Sequence, residues 1–551
     1  MRNTPWLVRS TGMCLAALLF WSVPWASADQ APSSAPESVH PTECSSAETG
    51  NGKAFWQGKV EKASVTQHSV TVAGHSIDYR ATAAEMPMTD EEGELKATVF
   101  FVAYERLAPP EAEAAPLQNQ PSTPDEGQTL AQVDPAKRPL MFLFNGGPGA
   151  ASVWLHLGAA GPRRVDLEAN GFPPKPPFRL IDNPHTWLDA CDLVFIDPVG
   201  TGYSRPAEGQ ERSDFYGVQQ DIEWVAEFIR LYITTYKRWV SPLYVSGESY
   251  GTTRAAGLSE HLFERHGIAL NGIVLVSSVL DFRTIVPTGN NDLPYVLFLP
   301  TYTAIAWYHG RLSPDLQHDL DATTREVQQW AREVYNVALA KGDTLPPDER
   351  AEVVRQLARY TALPPELIDR AELRIEPGTF RKHLLADRRQ VVGRFDGRVT
   401  GKDPDPLNDK PDYDPSLTTY FAAYSSTFND YVRRTLKYES TLPYEVLSRM
   451  VWPWDYGTDG QQGYLNVADA LRNTIIQNPT MQVLVTSGYY DLATPFAATD
   501  HTIDRLLLGD DLRRNIRHTY YEAGHMLYHP AAGLSQLKAE VIALIKSAKT
   551  F

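Results

Sequence analysis

Five stretches of this chain are apolar almost without interruption: PLMFLFNGG from 139, CDLVFIDP from 191, LYVSGES from 243, GIVLVSS from 272 and MQVLVTSG from 481. A strand with one wet face alternates apolar and polar side chains, so unbroken runs predict strands buried on both faces, as in a parallel sheet. Between them lie amphipathic segments such as DFYGVQQDIEWVAEFIRLYITTY (214–236), whose period predicts crossover helices. The expected class is α/β, with a mostly parallel central sheet and helices on both faces.

Two other textures flank this pattern. Residues 54–105 contain SVTVAGHSIDYRA and ATVFFVAYERL, whose short alternating runs predict antiparallel strands turning at Gly74 and near Glu91 to Gly93. The Pro-, Glu- and Gln-containing stretch 108–138 reads as a long surface loop. Between Ser278 and Met481, TTREVQQWAREVYNVALAK and ERAEVVRQLARYTAL have helical periodicity. An insertion of helices between two core strands is most simply a cap over the carboxyl edge of the sheet. The expected organisation is a first part of the core at 53–284 that includes the N-terminal antiparallel strands, a mainly helical cap insertion at 285–475, and the second part of the core at 476–551.

The N-terminus reads differently again. Arg2 and Arg9 precede an apolar run from about Met13 to Trp25, and Ala26-Ser27-Ala28 follows it. That is the layout of a secretory signal peptide, here 1–28, and the run is shorter than the roughly 20 residues a membrane span requires. Residues 29–52, rich in Ser, Pro, Ala and Glu, read as a flexible leader. Removing the signal leaves Cys44 and Cys191, one possible disulfide at most, so the mature chain relies on its core. The expected location is the periplasm or the cell exterior, with no membrane span after signal removal.

Composition narrows the partners. Hydrophobic residues are 43% and charged residues 21% of the 551, ordinary globular values. A formal net charge of -16 lacks the basic footprint that nucleic-acid binding needs. The loop from Asp403 to Asp414 has five aspartates, but its prolines break the ligand spacing of calcium loops. No zinc-binding histidine pattern occurs, so neither metal nor cofactor is expected.

The chemistry centres on GESYG, 247–251, between the apolar run LYV and a helix-like segment. G-x-S-x-G in that context is a nucleophile elbow, in which the tight turn exposes the hydroxyl of Ser249. A serine needs a base, and the base needs a carboxylate to orient it. In the α/β-hydrolase fold the chain order is Ser, acid, His, and Asp491 in TSGYYDLATP and His525 in YYEAGHMLYHP arrive in that order, each after a strand-like run. The glycines of FNGGPGAAS leave backbone N–H groups open for an oxyanion; Gly147, paired with Tyr250 after the nucleophile, makes the expected hole.

Taken together, FNGGPGAASVW, FIDPVGTGYSRP, VSGESYG, SGYYDLATP and AGHMLYHP resemble the serine carboxypeptidases, α/β-hydrolase peptidases that remove C-terminal residues one at a time. The resemblance spans roughly 138–540, and VWLHLGAAGPRRV looks like the bacterial branch. It implies peptide substrates with a free C-terminus, an acyl-enzyme on Ser249, His525 as general base and acid, and Asp491 as its orienting carboxylate. It also implies that Asn145 and Glu248, assisted by the Gly146 N–H, bind the substrate's terminal carboxylate. One of the two carboxylates must then hold a proton, because two charged carboxylates cannot comfortably share a site. The chain departs from the family at Ala150, where relatives commonly carry a cysteine, and at Ala159, where a supporting glutamate often stands. His156 and Arg163 lie near that place and read as structural. An esterase or acyltransferase using the same triad is the alternative, and a noncatalytic envelope binding protein a more distant one.

Overall fold

The computed structural model describes residues 62–108, 133–457 and 464–548. The expected signal segment and leader, Cys44, and most of the 108–138 loop lie outside the described residues. Nine main strands are β1 (Lys62–Val72), β2 (His75–Thr89), β3 (Leu95–Arg106), β4 (Leu140–Phe144), β5 (Asp192–Ile196), β6 (Leu243–Glu248), β7 (Gly272–Val276), β8 (Gln482–Gly488) and β9 (Ile516–Tyr521). They form one sheet in the order β1-β2-β3-β5-β4-β6-β7-β8-β9, and the two-residue strand Arg205–Pro206 pairs on the side with β3. β1 to β3 are antiparallel, β3 joins β5 antiparallel, and every pair from β5 onward is parallel.

The unbroken apolar runs follow from how the strands are covered. Along β4, Leu140, Phe142 and Phe144 enter one hydrophobic cluster, while Met141 and Leu143 enter the other on the opposite face. The first cluster is closed by helices α1 (Val218–Thr235), α2 (Tyr250–His266) and Ala468–Gln477. The second is closed by Pro415–Arg434 and the C-terminal helix Ala531–Ser547. Each fully buried Val, Leu or Phe contributes about 2 kcal/mol relative to exposure, which favours apolar side chains on both faces. This is an α/β-hydrolase fold with a mostly parallel sheet and a large, mainly helical cap insertion.

The segment between β7 and β8 divides in two. Helices α3 (Leu293–Tyr308), α4 (Leu320–Trp330) and α5 (Pro347–Thr361) bury their apolar faces on one another in a separate cluster, which also takes in Tyr490 and Leu492. Those two residues flank Asp491, so the cap rests on the loop that follows β8. The later helix Pro415–Arg434 returns to the main core through Tyr420, Tyr424 and Phe428. Between the two parts lies the acidic loop. Asp403 accepts from Lys382 Nζ at 2.7 Å, and Asp414 caps the helix beginning at Pro415 by accepting from the Ser416 N–H at 3.0 Å. Among the described residues no helix is long and apolar enough to cross a membrane, and no cluster of His, Cys, Asp or Glu could hold a metal ion.

Candidate active site

Because the strands from β5 onward run parallel, their carboxyl ends share one edge of the sheet. There the register aligns Phe144 with Gly247, Glu248 with Val276, and Val276 with Thr486. Asn145, Ser249 and Ser277 therefore leave adjacent strands together, and the loops carrying Asp491 and His525 follow β8 and β9. Ligands of open α/β sheets bind at this edge.

The elbow at Ser249 is tight and strained. Its backbone adopts φ 60° and ψ -130°, a conformation costly for a residue with a Cβ. A side chain on Gly247 would lie 2.0 Å from the Gly251 carbonyl oxygen, so only glycine fits. In the loop that follows β4, a Cβ on Gly146 would lie 2.4 Å from the N atoms of both Tyr250 and Gly251. The glycine loop is thus pressed against the start of α2. Among the described residues, neither the Gly147 N–H nor the Tyr250 N–H, at the helix's first position, is committed to a partner. Tyr250 itself is held edge-on against Trp454, ring centroids 5.5 Å apart. Ser249 is half-buried, and its hydroxyl has no hydrogen-bond partner among the described residues.

Asp491 and His525 meet directly. His525 Nδ1 lies 2.7 Å from Asp491 Oδ2, which as a carboxylate accepts, so Nδ1 carries the proton and Nε2 is left as the basic nitrogen. Asp491 is completely buried, and its Oδ1 accepts the N–H groups of Ala493 at 2.7 Å and Thr494 at 3.1 Å. The Thr494 hydroxyl donates to Oδ2 at 2.7 Å. Burial pulls the His525 pKa down, but the charge and hydrogen bond of Asp491, with the charge of Glu248, raise it above the ordinary histidine value overall. The backbone is pinned too: the His525 N–H donates to Phe395 O at 2.6 Å, and Ser277 Oγ donates to His525 O at 2.6 Å.

Glu248 faces a different set. Its side chain is buried, Tyr528 OH donates to Oε2 at 2.7 Å, and Asn145 is a second hydrogen-bonding neighbour. Desolvation pushes its pKa up to about 7, against the lowering effects of His525, Tyr528 and Asn145. Asn145 is itself oriented, because its Oδ1 accepts the Leu155 N–H at 3.0 Å. All the expected site residues thus lie on two glycine-shaped turns and two loops at one sheet edge.

Sequence reasoning did not find Tyr528 or Thr494. The Asp491 turn had a local signal, since an Asp side chain commonly accepts from the backbone two residues on, as it does here from Ala493, which brings Thr494 alongside. Tyr528 had none beyond its place in the His525 loop. At the departure from the family pattern, Ala159 is fully buried, and neither neighbour substitutes for an acid. His156 is stacked on Phe195 at 4.3 Å and bonded to Tyr104 OH at 2.6 Å, with burial lowering its pKa to about 3. Arg163 pairs with Asp182 at 2.6 Å.

Residues 128–538 match the sequence profile of a family described as serine carboxypeptidase. The chain belongs to the serine carboxypeptidase family. Among curated relatives, serine carboxypeptidase-like 34 of Arabidopsis thaliana is 22% identical over 68% of this chain and 70% of its own length. Serine carboxypeptidase-like 45 of the same plant is 29% identical, over 38% of this chain and 42% of its own length. Among solved structures, the prohormone-processing carboxypeptidase KEX1 of Saccharomyces cerevisiae is 16% identical, with a TM-score of 0.48 over 85% of this chain and 91% of its own. These relatives are plant and yeast proteins.

Proposed function

We propose that this member of the serine carboxypeptidase family is exported and removes C-terminal residues from peptides through an acyl-enzyme on Ser249. In this reading Ser249 Oγ attacks the scissile carbonyl carbon while His525 Nε2 takes its proton, and Asp491 stabilises the imidazolium that forms. The Gly147 and Tyr250 N–H groups receive the oxyanion. The proton on His525 passes to the leaving amine, and a water activated by the same nitrogen then hydrolyses the acyl-enzyme.

The observation that carries the carboxypeptidase reading, rather than serine hydrolysis in general, is the buried Glu248 with Asn145 and Tyr528 around it. A carboxyl held near neutrality by burial can share its proton with a substrate carboxylate, and Asn145 with the Gly146 N–H supplies further donors. Export, and the likeness to the bacterial branch, rest on the basic-apolar-small pattern of residues 1–28 and on VWLHLGAAGPRRV. An esterase or acyltransferase would use the same triad without needing a free carboxylate. Hydrolysis of N-blocked dipeptides against their C-terminal amides separates the two: a strong preference for the free acid is expected, and equal rates would remove the carboxypeptidase reading. Labelling by a serine-directed fluorophosphonate, lost in Ser249→Ala, tests the nucleophile itself.

A further inference from the structure

The cations around the site are mostly committed. Arg398 forks onto Asp396 at 2.9 and 2.6 Å, Lys382 donates to Asp403 at 2.7 Å, and Arg381 donates to Val392 O at 3.0 Å and stands 3.7 Å from Asp414. Two arginines are exceptions: Arg164, buried beside Tyr424 and His529 with its Nε unpartnered among the described residues, and Arg394, which lies closer to His525. The Arg394 backbone is held at both ends, the N–H donating to Asp414 Oδ1 at 3.0 Å and the carbonyl accepting the Leu492 N–H at 2.9 Å, one residue beyond Asp491. Its guanidinium makes no hydrogen bond and no ion pair among the described residues.

The position of that free charge is defined. The guanidinium carbon lies 5.3 Å over the Phe395 ring, and the Phe395 ring stands 5.1 Å from the ring of His525. Arg394 is only partly exposed, and burial lowers its pKa while Asp414 and Asp491 oppose that shift. Both oxygens of Asp491 accept from His525, Thr494 and Ala493, and Asp414 Oδ1 from Ser416 and the Arg394 backbone; Asp414 Oδ2 is unpartnered among the described residues, but the Arg394 guanidinium forms no ion pair with it. A guanidinium stays charged and presents five donors in a planar fork that fits a carboxylate. Held partly out of water with no acceptor, it is poised for an anion that arrives with the substrate.

We propose that Arg394 is a specificity-determining residue that binds the side-chain carboxylate of an aspartate or glutamate beside the scissile bond. The inference rests on the carboxypeptidase reading above. It does not assign Arg394 to the terminal carboxylate, because Asn145, Tyr528 and a protonated Glu248 handle that group without a cation. A second negative charge in the substrate is what an additional arginine serves.

The test is kcat/KM for N-blocked dipeptides carrying Glu, Gln or Ala in turn at the C-terminal and penultimate positions, as free acids and as amides, with wild type, Arg394→Gln and Arg394→Lys. Wild type is expected to favour Glu over Gln at one of the two positions by roughly tenfold. That ratio should fall close to one in Arg394→Gln and survive in part in Arg394→Lys. A wild-type ratio near one at both positions overturns the proposal without requiring any variant to fold, as does a ratio that persists in Arg394→Gln. Loss of the free-acid preference in Arg394→Gln, with the Glu preference intact, would reassign the residue to the terminal carboxylate and also overturn it. Failure of the carboxypeptidase reading has its own signature, wild type cleaving amides as readily as acids.

Discussion

Asp491 and Glu248 are both buried carboxyl groups at the same sheet edge, and their surroundings differ in kind. Asp491 sits in a closed turn that directs two backbone N–H groups and a hydroxyl at it, with the His525 ring completing the shell. Glu248 has a tyrosine hydroxyl and a neighbouring amide, and burial pushes its pKa up to about 7. A carboxylate surrounded by donors is suited to stay charged and hold an imidazole in one tautomer. One with fewer donors is suited to carry a proton, which is what a site for another carboxylate requires. Both groups are buried, so what distinguishes them is the number of donors each meets.

The largest test of this contrast is Asp491→Asn. It keeps the shape but lets the amide donate to His525, stabilising the wrong tautomer, so kcat is expected to fall about ten thousandfold with KM little changed. A drop of less than about tenfold would mean that Asp491 does not orient the base.

The next test concerns stability. Glu248 has a folded pKa of about 7 against an ordinary 4.5, so the folded state holds the proton more tightly. Its stabilising contribution is complete below 4.5 and is lost as pH rises through 7. Glu248→Gln should therefore gain about 3 kcal/mol over wild type on going from pH 4 to pH 8, measured by urea unfolding. No pH-dependent difference would indicate that the carboxyl ionises freely in the folded protein.

A smaller effect is kinetic. As pH passes about 7, ionised Glu248 should repel the substrate carboxylate, and KM for a free-acid dipeptide should rise about tenfold per pH unit. In Glu248→Gln the profile should be flat across that range, and an unchanged profile would take Glu248 out of substrate binding.

The smallest expected change is Tyr528→Phe. Losing a hydroxyl that favours the charged form removes about 1 kcal/mol of stabilisation from it, so the rise in KM should move to higher pH by somewhat less than one unit. A shift to lower pH would contradict the direction of that hydrogen bond.

Much of this arrangement was legible along the chain because it is written in short-range patterns. The strand positions follow from apolar runs that two covered faces demand, and the elbow follows from glycines that no larger residue could replace, as the 2.0 Å approach at Gly247 makes concrete. Asp491 was findable because it follows the buried strand β8, and His525 because it follows the strand-like run of β9, in a fixed order, although β9 is a largely uncovered edge strand. The helix Pro415–Arg434 was harder to place. Its stretch falls within the inserted segment, yet its tyrosines pack into the main core, and nothing in a helical period says which of two cores will receive it.

By itself, then, the sequence determined the sheet, the strained turn at Ser249 and the order of the three proposed triad residues, since each depends on neighbours a few positions away. The tertiary structure decided which groups tune them. Tyr528 reaches Glu248 across 280 residues, and the backbone of Phe395, in the segment between β7 and β8, holds the N–H of His525. Arg394 acquired an uncommitted charge next to the dyad in the same way. Contacts of that span leave no local signature, because the geometry that creates them exists only once separate strands have aligned their carboxyl ends.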